Sequence, residues 1–455
     1  MNTLSSHDDT ICAIATKVGG AIAVIRVSGP QAIGCTDRLF HAPSGQSLAD
    51  ARPNTLHYGA LHAIDSGDVI DDVVVALWRA PHSYTGDDTV EISCHGSQYI
   101  AQTIVQNLVT TGCRMAGPGE FTMRAYLNGK MDLSQAEAVA DLIAANNKAS
   151  HDLAVSQLKG HFSQELGRLR EQLLKLTSLL ELELDFSDHE ELEFADRSEI
   201  ANLATTLLKK VTNLCNSFQT GQALRQGIPV AIVGKTNVGK STLLNSLLNE
   251  DKAIVSDISG TTRDTIDGLA AIGGVTFRFV DTAGLRNTTD TIEQIGIERA
   301  YRQINEAAIV VWVIDTMPSP DEQHDIETRA NGKPVIIVHN KADISPTPLM
   351  SGEVPISAKN GQNIKALKDC IYTAANLPEI SEDTIIITNA RHYEALSHAA
   401  DDLQRVTDGL AADLPSDLLA EDLRLCLADL ADITGGQITP QETLNNIFQH
   451  FCIGK

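Results

Sequence analysis

Apolar positions change their spacing several times along the chain, and each change predicts a change of element. Over residues 10–121, short apolar runs at 21–27, 69–77 and 90–93 alternate with turn signals such as Ser28-Gly29-Pro30 and Asp65-Ser66-Gly67-Asp68. This is the pattern of a compact α/β domain. From Met123 the period lengthens. Ser134-Gln135-Ala136-Glu137 reads as a capping box opening a helix with Ala136, Val139, Ala140 and Ile143 on one face. Leu166, Leu169, Leu173, Leu176 and Leu180 follow at helical spacing, as do Ile200, Leu203, Leu207, Leu214 and Phe218. Stripes of this kind are the core faces of long amphipathic helices. Beyond residue 378 the spacing returns, at Leu396, Leu403, Val406 and Leu410 and again at Leu418, Leu419, Leu423, Leu430 and Ile433.

A different signal lies between the helical stretches. Val230, Ala231, Ile232 and Val233 form a strand-like run, a glycine-punctuated loop follows, and Leu243, Leu244, Leu247 and Leu248 begin a helical stripe. The flanking helical segments each leave an apolar face that needs cover. The economical arrangement is one discontinuous all-α domain, residues 123–220 and 379–455, interrupted by an inserted module at 221–378. With residues 1–122 as the first domain, the chain reads as an α/β multidomain protein.

Chemistry enters through the loop Gly234-Lys235-Thr236-Asn237-Val238-Gly239-Lys240-Ser241. A GxxxxGKS sequence between strand and helix is a phosphate-binding loop. Its glycines let backbone N–H groups curl around phosphate oxygens at a helix N-terminus. Lys240 reaches the β/γ-phosphates, Ser241 holds Mg²⁺, and Thr242 follows in the first turn. Asp281-Thr282-Ala283-Gly284, after a strand-like run, brings a carboxylate to the metal shell and a glycine N–H to the γ-phosphate. Asn340-Lys341-Ala342-Asp343 supplies a carboxylate for the two N–H groups of a guanine edge, which adenine does not offer, and Ser357-Ala358-Lys359 backs the base. The order and spacing resemble GTPases of the translation-factor type. The expected module is a Ras-like P-loop GTPase domain with a mixed, mostly parallel sheet.

Charge narrows the partners. A formal net charge of −24 excludes RNA or anionic-membrane binding through the general field of the protein. The carboxylate-rich run from Glu181 to Glu199 faces only Arg197, and reads as a solvated helix end and loop, with partner docking as the alternative. No apolar run reaches the roughly 18 residues of a membrane span, and no basic-then-apolar leader opens the chain. A cytoplasmic protein without a membrane partner is expected. The eight cysteines form no CxxC pair, which suits a reducing compartment, and Cys94-His95 has no second half of a metal site.

Over nearly its whole length the chain resembles bacterial tRNA-uridine-modification GTPases of the MnmE/TrmE family. The residues that carry this are Ile25-Arg26-Val27-Ser28-Gly29, Ser83-Tyr84-Thr85-Gly86-Asp87-Asp88, Cys94-His95-Gly96 and Pro118-Gly119-Glu120-Phe121-Thr122-Met123-Arg124-Ala125. Leu127-Asn128-Gly129-Lys130-Met131-Asp132-Leu133, Gln135-Ala136-Glu137-Ala138 and the tail Phe451-Cys452-Ile453-Gly454-Lys455 continue it. Two stretches depart from the family pattern. The loop Ala15-Thr16-Lys17-Val18-Gly19-Gly20 is one residue short and lacks paired prolines, and Thr236 stands where proline is common.

The resemblance implies an N-terminal folate-binding and dimerisation domain related to one-carbon proteins. A tetrahydrofolate derivative would be held there by Arg26, Glu91, Lys130 and Lys455. Cys452 stays open between a catalytic and a packed thiol. For hydrolysis, Leu285 occupies the place where many regulatory GTPases carry a water-orienting glutamine. The resemblance implies K⁺ instead, bound by Asn237 with Ser256, Ile258 and Thr261. The loop Ser256-Asp257-Ile258-Ser259-Gly260-Thr261-Thr262 would complete the site with Thr262 on Mg²⁺. Glu293 would position water, although from the residues alone it reads as an exposed helix carboxylate. Catalysis would thus rest on Glu293, Asn237, Lys240 and Thr262. The implied activity is K⁺-stimulated GTP hydrolysis that drives addition of an aminomethyl-type group to C5 of the wobble uridine of certain tRNAs. The implied assembly is a homodimer joined to an FAD-dependent partner protein, as a heterotetramer or larger, with the partner binding most of the tRNA.

Two other classes share parts of this pattern. A ribosome-assembly GTPase would have the nucleotide motifs together with a basic RNA-binding module or a second GTPase domain, neither of which the sequence contains. A folate-dependent one-carbon transferase with a regulatory GTPase domain would transfer its one-carbon unit without a partner.

Overall fold

In the computed structural model, which describes residues 9–186, 197–249, 267–280, 302–344, 352–378, 384–436, 441–449 and 451–454, the chain divides into two units. The first comprises Met1–Ile143, Gln157–Leu184 and Ser416–Lys455. Its sheet is built from β1 (Ile11–Ile14), β2 (Ile22–Ser28), β3 (Phe40–His41), β4 (Thr55–His62), β5 (Val69–Trp78), β6 (Thr89–His95) and β7 (Arg114–Met115). The three predicted apolar runs are β2, β5 and β6, and the strand order is β3-β4-β5-β6-β2-β1-β7. Alternation sorts the faces. Ile25, Val27, Val73, Val75, Leu77, Val90 and Ile92 are buried with Ala101, Ile104 and Leu108 of α2 (Gln98–Thr110), and with Ala32 and Ile33 of α1 (Ala32–Asp37). Arg26 and Glu91, at the alternate positions, project from the opposite face and are cross-strand partners.

Helices α3 (Glu120–Leu127) and α4 (Leu133–Ala144) follow. The helix cap differs from the sequence expectation. Asp132, not Ser134, closes α4: its Oδ1 accepts from Gln135 N at 2.9 Å while Gln135 Oε1 accepts from Asp132 N at 2.9 Å. A carboxylate with glutamine three residues on satisfies two end N–H groups reciprocally, and Ser134 is buried against Ser163 instead. The apolar face is also shifted. Leu133 and Ala136 are buried, whereas Ile143 is exposed. Helix α6 (His161–Phe186) buries all five leucines predicted for its stripe. In α12 (Ser416–Thr434), Leu419, Leu423, Leu430 and Ile433 are buried but Leu418 faces outward, since two adjacent positions diverge by about 100° around a helix. Helix α13 (Gln441–Phe448) packs on α3 and leads into the tail.

The second unit comprises Ala144–Ser156 and Asp185–Pro415. Its strands β8 (Ile228–Val233), β9 (Asp267–Ile272), β10 (Val275–Val280), β11 (Ile309–Ile314), β12 (Val335–His339) and β13 (Val354–Pro355) lie in the order β13-β12-β11-β8-β10-β9. Only β9 and β10 pair antiparallel, so the sheet is mixed and mostly parallel, as expected. Central strands are buried on both faces: every residue of β11 is buried, which explains its unbroken apolar run. Helices α8 (Lys240–Asn249), α9 (Pro320–Ala330) and α10 (Ile364–Ala374) follow strands of this sheet. Ala149 and Leu153 of α5 (Lys148–Leu158) join the same core, and Ala149 N donates to Gly274 O in the β9–β10 turn at 3.1 Å. The long helix α7 (Arg197–Gln226) packs along α11 (Ala390–Ala411), with Phe218 stacked on Tyr393 at 4.4 Å between ring centroids. Of the two expected helical halves, these two helices lie in the second unit, while 157–184 and 416–455 lie in the first.

No helix among the described residues is long and apolar enough to cross a membrane. Cys94 is buried, and burial, followed by Asp71, pushes its thiol up to about 11. No cluster of three or more metal-ligating side chains occurs among the described residues.

A half-buried ionic cluster ties Asp9 to β7 and α3. Arg114 reaches Asp9 (2.7 Å) and Glu120 (2.5 Å), and Arg124 reaches the same two carboxylates at 2.5 and 3.1 Å. Burial raises both carboxyl groups, but hydrogen bonds from Arg114, helped by Arg124 at Asp9 and by the Gly117 amide at Glu120, outweigh it. Both are held below their ordinary values. The stability they contribute is therefore present above the unfolded carboxylate range, roughly pH 4, and is lost as pH falls through the lower folded values. Glu120→Gln should destabilise the first unit by about 3 kcal/mol at neutral pH and flatten its acid dependence. Urea melts followed across acidic and neutral pH test this, and an unchanged acid slope would remove Glu120 from the account.

Candidate functional site

The phosphate loop leaves β8 at the C-terminal edge of the parallel sheet, where ligands of open α/β sheets bind. Gly234 and Gly239 have φ of 149° and 101°. A Cβ would lie 2.2 Å from Val313 O at the first and 2.2 Å from Asn340 Nδ2 at the second. Asn237 takes φ 65°, a left-handed conformation that asparagine tolerates, and its side chain is exposed at the loop crest. Val238 beside it is buried in the core. Helix α8 begins at Lys240, so its first N–H groups point into the loop. Lys240 Nζ lies 2.7 Å from the carbonyl oxygens of both Gly234 and Lys235, curled over the loop. Ser241 and Thr242 are exposed on the first turn.

The base-reading segments meet this loop through one side chain. Asn340, 4% exposed, donates from Nδ2 to Val238 O at 2.7 Å and accepts at Oδ1 from Ala358 N at 3.0 Å. It therefore joins the phosphate loop, the guanine loop and the backing loop. Two backbone bonds run parallel to it: Ile356 N to His339 O at 2.8 Å, and Ala342 N to Ile356 O at 3.0 Å. Lys341, at φ 65°, pairs with Asp315 at 2.7 Å. Asp343 and Lys359 are exposed, while Ser357 and Ala358 are buried beneath them. Asn237, Val238, Gly239, Lys240, Ser241, Thr242, Asn340, Lys341, Asp343, Ser357, Ala358 and Lys359 thus gather at one sheet edge. Ser256, Asp257, Ile258, Ser259, Gly260, Thr261, Thr262, Asp281, Thr282, Ala283, Gly284, Leu285 and Glu293 lie outside the described residues, as does Lys455.

A second constellation lies on the opposite face of the first sheet, beside the small core of Ile11, Ala13 and Phe121. Arg26 bonds Glu91 through Nε (2.9 Å) and Nη2 (2.8 Å), and its Nη1 donates to Gly454 O at 3.4 Å. Its guanidinium lies 5.3 Å from the Tyr84 ring centroid and 5.6 Å from that of Phe121, within cation–π range. The tail reaches it by pairing as a strand: Ile453 bridges Pro118, and Gly119 N donates to Cys452 O at 3.3 Å. Gly454 is required there, because at φ 96° an added Cβ would meet Ile14 O at 2.6 Å. The expected members Arg26 and Glu91 are together. Lys130 instead donates to Pro81 O at 2.9 Å. Cys452 is exposed, which removes the packed-thiol reading.

Several participants carried no sequence signal for a role here. Asp315 and Glu322, which pairs with Lys235 of the phosphate loop at 2.5 Å, come from a loop and a helix start outside the recognised motifs, and Asn360 directly follows Ser357-Ala358-Lys359. Tyr84 and Phe121 sit inside recognised motifs, but only the fold brings their rings to Arg26.

Comparison with known proteins covers nearly the whole chain. A family model described as the MnmE helical domain matches residues 133–452, and one described as the GTP-binding protein TrmE N-terminus matches 10–130. The tRNA modification GTPase MnmE of Phocaeicola vulgatus is 50% identical over 496 residues, covering 99% of each chain. That of Bacteroides thetaiotaomicron is 51% identical over 468 residues, covering 99% of this chain and 100% of the relative. A solved structure of Aquifex aeolicus Era bound to GDP and aluminium fluoride is 31% identical over 38% of this chain and 65% of its own, with a TM-score of 0.25.

Replacing Asn340 tests the junction. Asn340→Ala leaves Val238 O and Ala358 N without their buried partner, at about 1–3 kcal/mol each. The variant should lose about 2–4 kcal/mol of stability without nucleotide and release GDP faster. Denaturation midpoints and fluorescent-nucleotide dissociation rates check both outcomes.

Proposed function

The chain belongs to the MnmE/TrmE family of tRNA modification GTPases, and on that premise we propose that it is a K⁺-stimulated GTPase acting on the wobble uridine. With an FAD-dependent partner protein it adds an aminomethyl or carboxymethylaminomethyl group to C5 of the uridine at position 34 of certain tRNAs. The observation that carries the nucleotide half of this reading is Asn340, which ties a phosphate loop to two base-reading loops.

In the GTPase half, α8's N-terminus and Lys240 bind phosphate, Ser241 and Thr262 would hold Mg²⁺, and Asp343 reads guanine. Asn237, exposed in its left-handed conformation, is the support for K⁺, which Ser256, Ile258 and Thr261 would also ligate. Bound there, K⁺ supplies positive charge between the phosphates, the part an arginine finger plays elsewhere. Glu293 would orient the attacking water.

In the first unit, Arg26, Glu91, Lys130 and Lys455 would hold a tetrahydrofolate derivative, which supplies the one-carbon unit. What supports this reading is the Glu91 carboxylate, paired with Arg26 beside the Tyr84 and Phe121 rings, as an acceptor for pterin N–H groups, with the basic groups of Lys130 and Lys455 toward the glutamate tail. The proposed assembly is a cytoplasmic homodimer with the flavoprotein, as a heterotetramer or larger. A net charge of −24 favours tRNA binding mainly through that partner.

Hydrolysis should run at least about tenfold faster in K⁺ than in Na⁺ at equal ionic strength, and Asn237→Ala should erase the difference. Equal rates in the two salts for the unaltered protein would refute the cation assignment. Removal of residues 452–455, or Arg26→Ala, should weaken 5-formyltetrahydrofolate binding in calorimetry and abolish the wobble modification seen by nucleoside mass spectrometry. K⁺-stimulated hydrolysis should survive both changes, and unchanged folate affinity would move the tail's role elsewhere.

A further inference from the structure

The carboxylate assigned to guanine is not held by its own motif alone. Asn360 Nδ2 donates to Asp343 Oδ2 at 3.1 Å, across the gap between the guanine loop and the loop that backs the base. The orientation of this amide is fixed by chemistry, because an ionised carboxylate only accepts and the NH₂ end must face it. Asn360 itself stands on a closed turn. Ser357 and Gln362 exchange backbone hydrogen bonds at 3.2 and 3.1 Å, and Asn360 N donates to Ser357 O at 3.2 Å. Asn363 Nδ2 then donates to Pro355 O at 2.8 Å, and α10 starts with Ile364 buried. The turn's backbone bonds anchor the amide, and both Asn360 and Asp343 are exposed.

We infer that Asn360 is a specificity-positioning residue for the GTPase, fixing the plane of the Asp343 carboxylate so that it pairs with both N–H groups of guanine at once. The inference rests on the reading of Asp343 as the base-recognising group. Each carboxylate oxygen has two lone pairs, so Oδ2 accepts from Asn360 and still accepts from the base. A carboxylate free to rotate pairs with one donor nearly as well as a fixed one, but pairs with two donors only in one orientation. Hypoxanthine presents N1–H without the 2-amino group. Loss of Asn360 therefore costs GTP more than ITP.

The full-length protein is tested by steady-state hydrolysis of GTP, ITP and XTP. Asn360→Ala should raise KM for GTP about threefold to tenfold with kcat at saturation unchanged, raise KM for ITP less, and so narrow the GTP/ITP ratio of kcat/KM. Asn360→Asp, which sets two carboxylates face to face, should narrow it further. Asp343→Asn tests the underlying reading separately by moving preference from GTP toward XTP. If Asp343→Asn shifts the preference but Asn360→Ala leaves the GTP/ITP ratio at its original value, the positioning role is refuted. If Asp343→Asn leaves the preference with GTP, the base-recognition reading itself fails.

Discussion

A single buried carboxamide holds the nucleotide site together. Asn340 has one donor and one acceptor engaged, each with a backbone group of a different loop. Neither loop closes on the other through its own residues at these points. The phosphate loop presents a carbonyl at Val238 and the backing loop an N–H at Ala358, and both would otherwise be buried without a partner. Aspartate at this place offers only acceptors and would repel Val238 O. Serine lacks the second functional atom at the required reach. The Gly239 requirement follows from the same packing, since the Asn340 amide fills the volume a Cβ would take.

The first unit is organised by a comparable demand around Arg26. A guanidinium on a sheet face needs several acceptors and a desolvating surround, and no single neighbour provides them. Glu91 comes from the adjacent strand, Tyr84 and Phe121 bring their rings, and the tail adds a carbonyl from a residue 428 positions away. The tail succeeds because its backbone pairs at Pro118 and Gly119, and Gly454 then passes close to Ile14. Ionic fixation of Asp9 and Glu120 by two arginines steadies the segment on which this pairing occurs.

In the first unit Arg26 and Glu91 lie on one face of the sheet, and in the second the nucleotide loops gather at the ends of strands buried on both faces. This division follows from the strands themselves. Alternation puts Arg26 and Glu91 on the face of the first sheet away from its main core, whereas the central strands of the second sheet are buried on both faces and present only their ends. The two units therefore present these side chains differently for one physical reason, the pattern of burial along each strand.

The sequence by itself determined the strand runs of β2, β5 and β6, the leucine stripe of α6, and the identity of the phosphate and guanine loops. Each rests on local spacing: period two for a half-buried strand, period 3.6 for a helix face, and fixed offsets where a loop must present backbone N–H groups. The α4 cap was misread by two residues because serine and aspartate are both good caps, and only backbone geometry selects Asp132. Leu418 and Ile143 were misassigned because periodicity locates a stripe without saying which neighbour covers its edge. Tertiary structure alone decided that Asn340 bridges three loops, that Asn360 meets Asp343, that Lys235 meets Glu322, and that the tail meets Arg26 through the Gly454 carbonyl. These contacts join residues far apart in sequence, and their partners are common polar side chains or backbone groups. A local pattern cannot encode them, because distance along the chain carries no information about distance in space once the chain has turned back on itself.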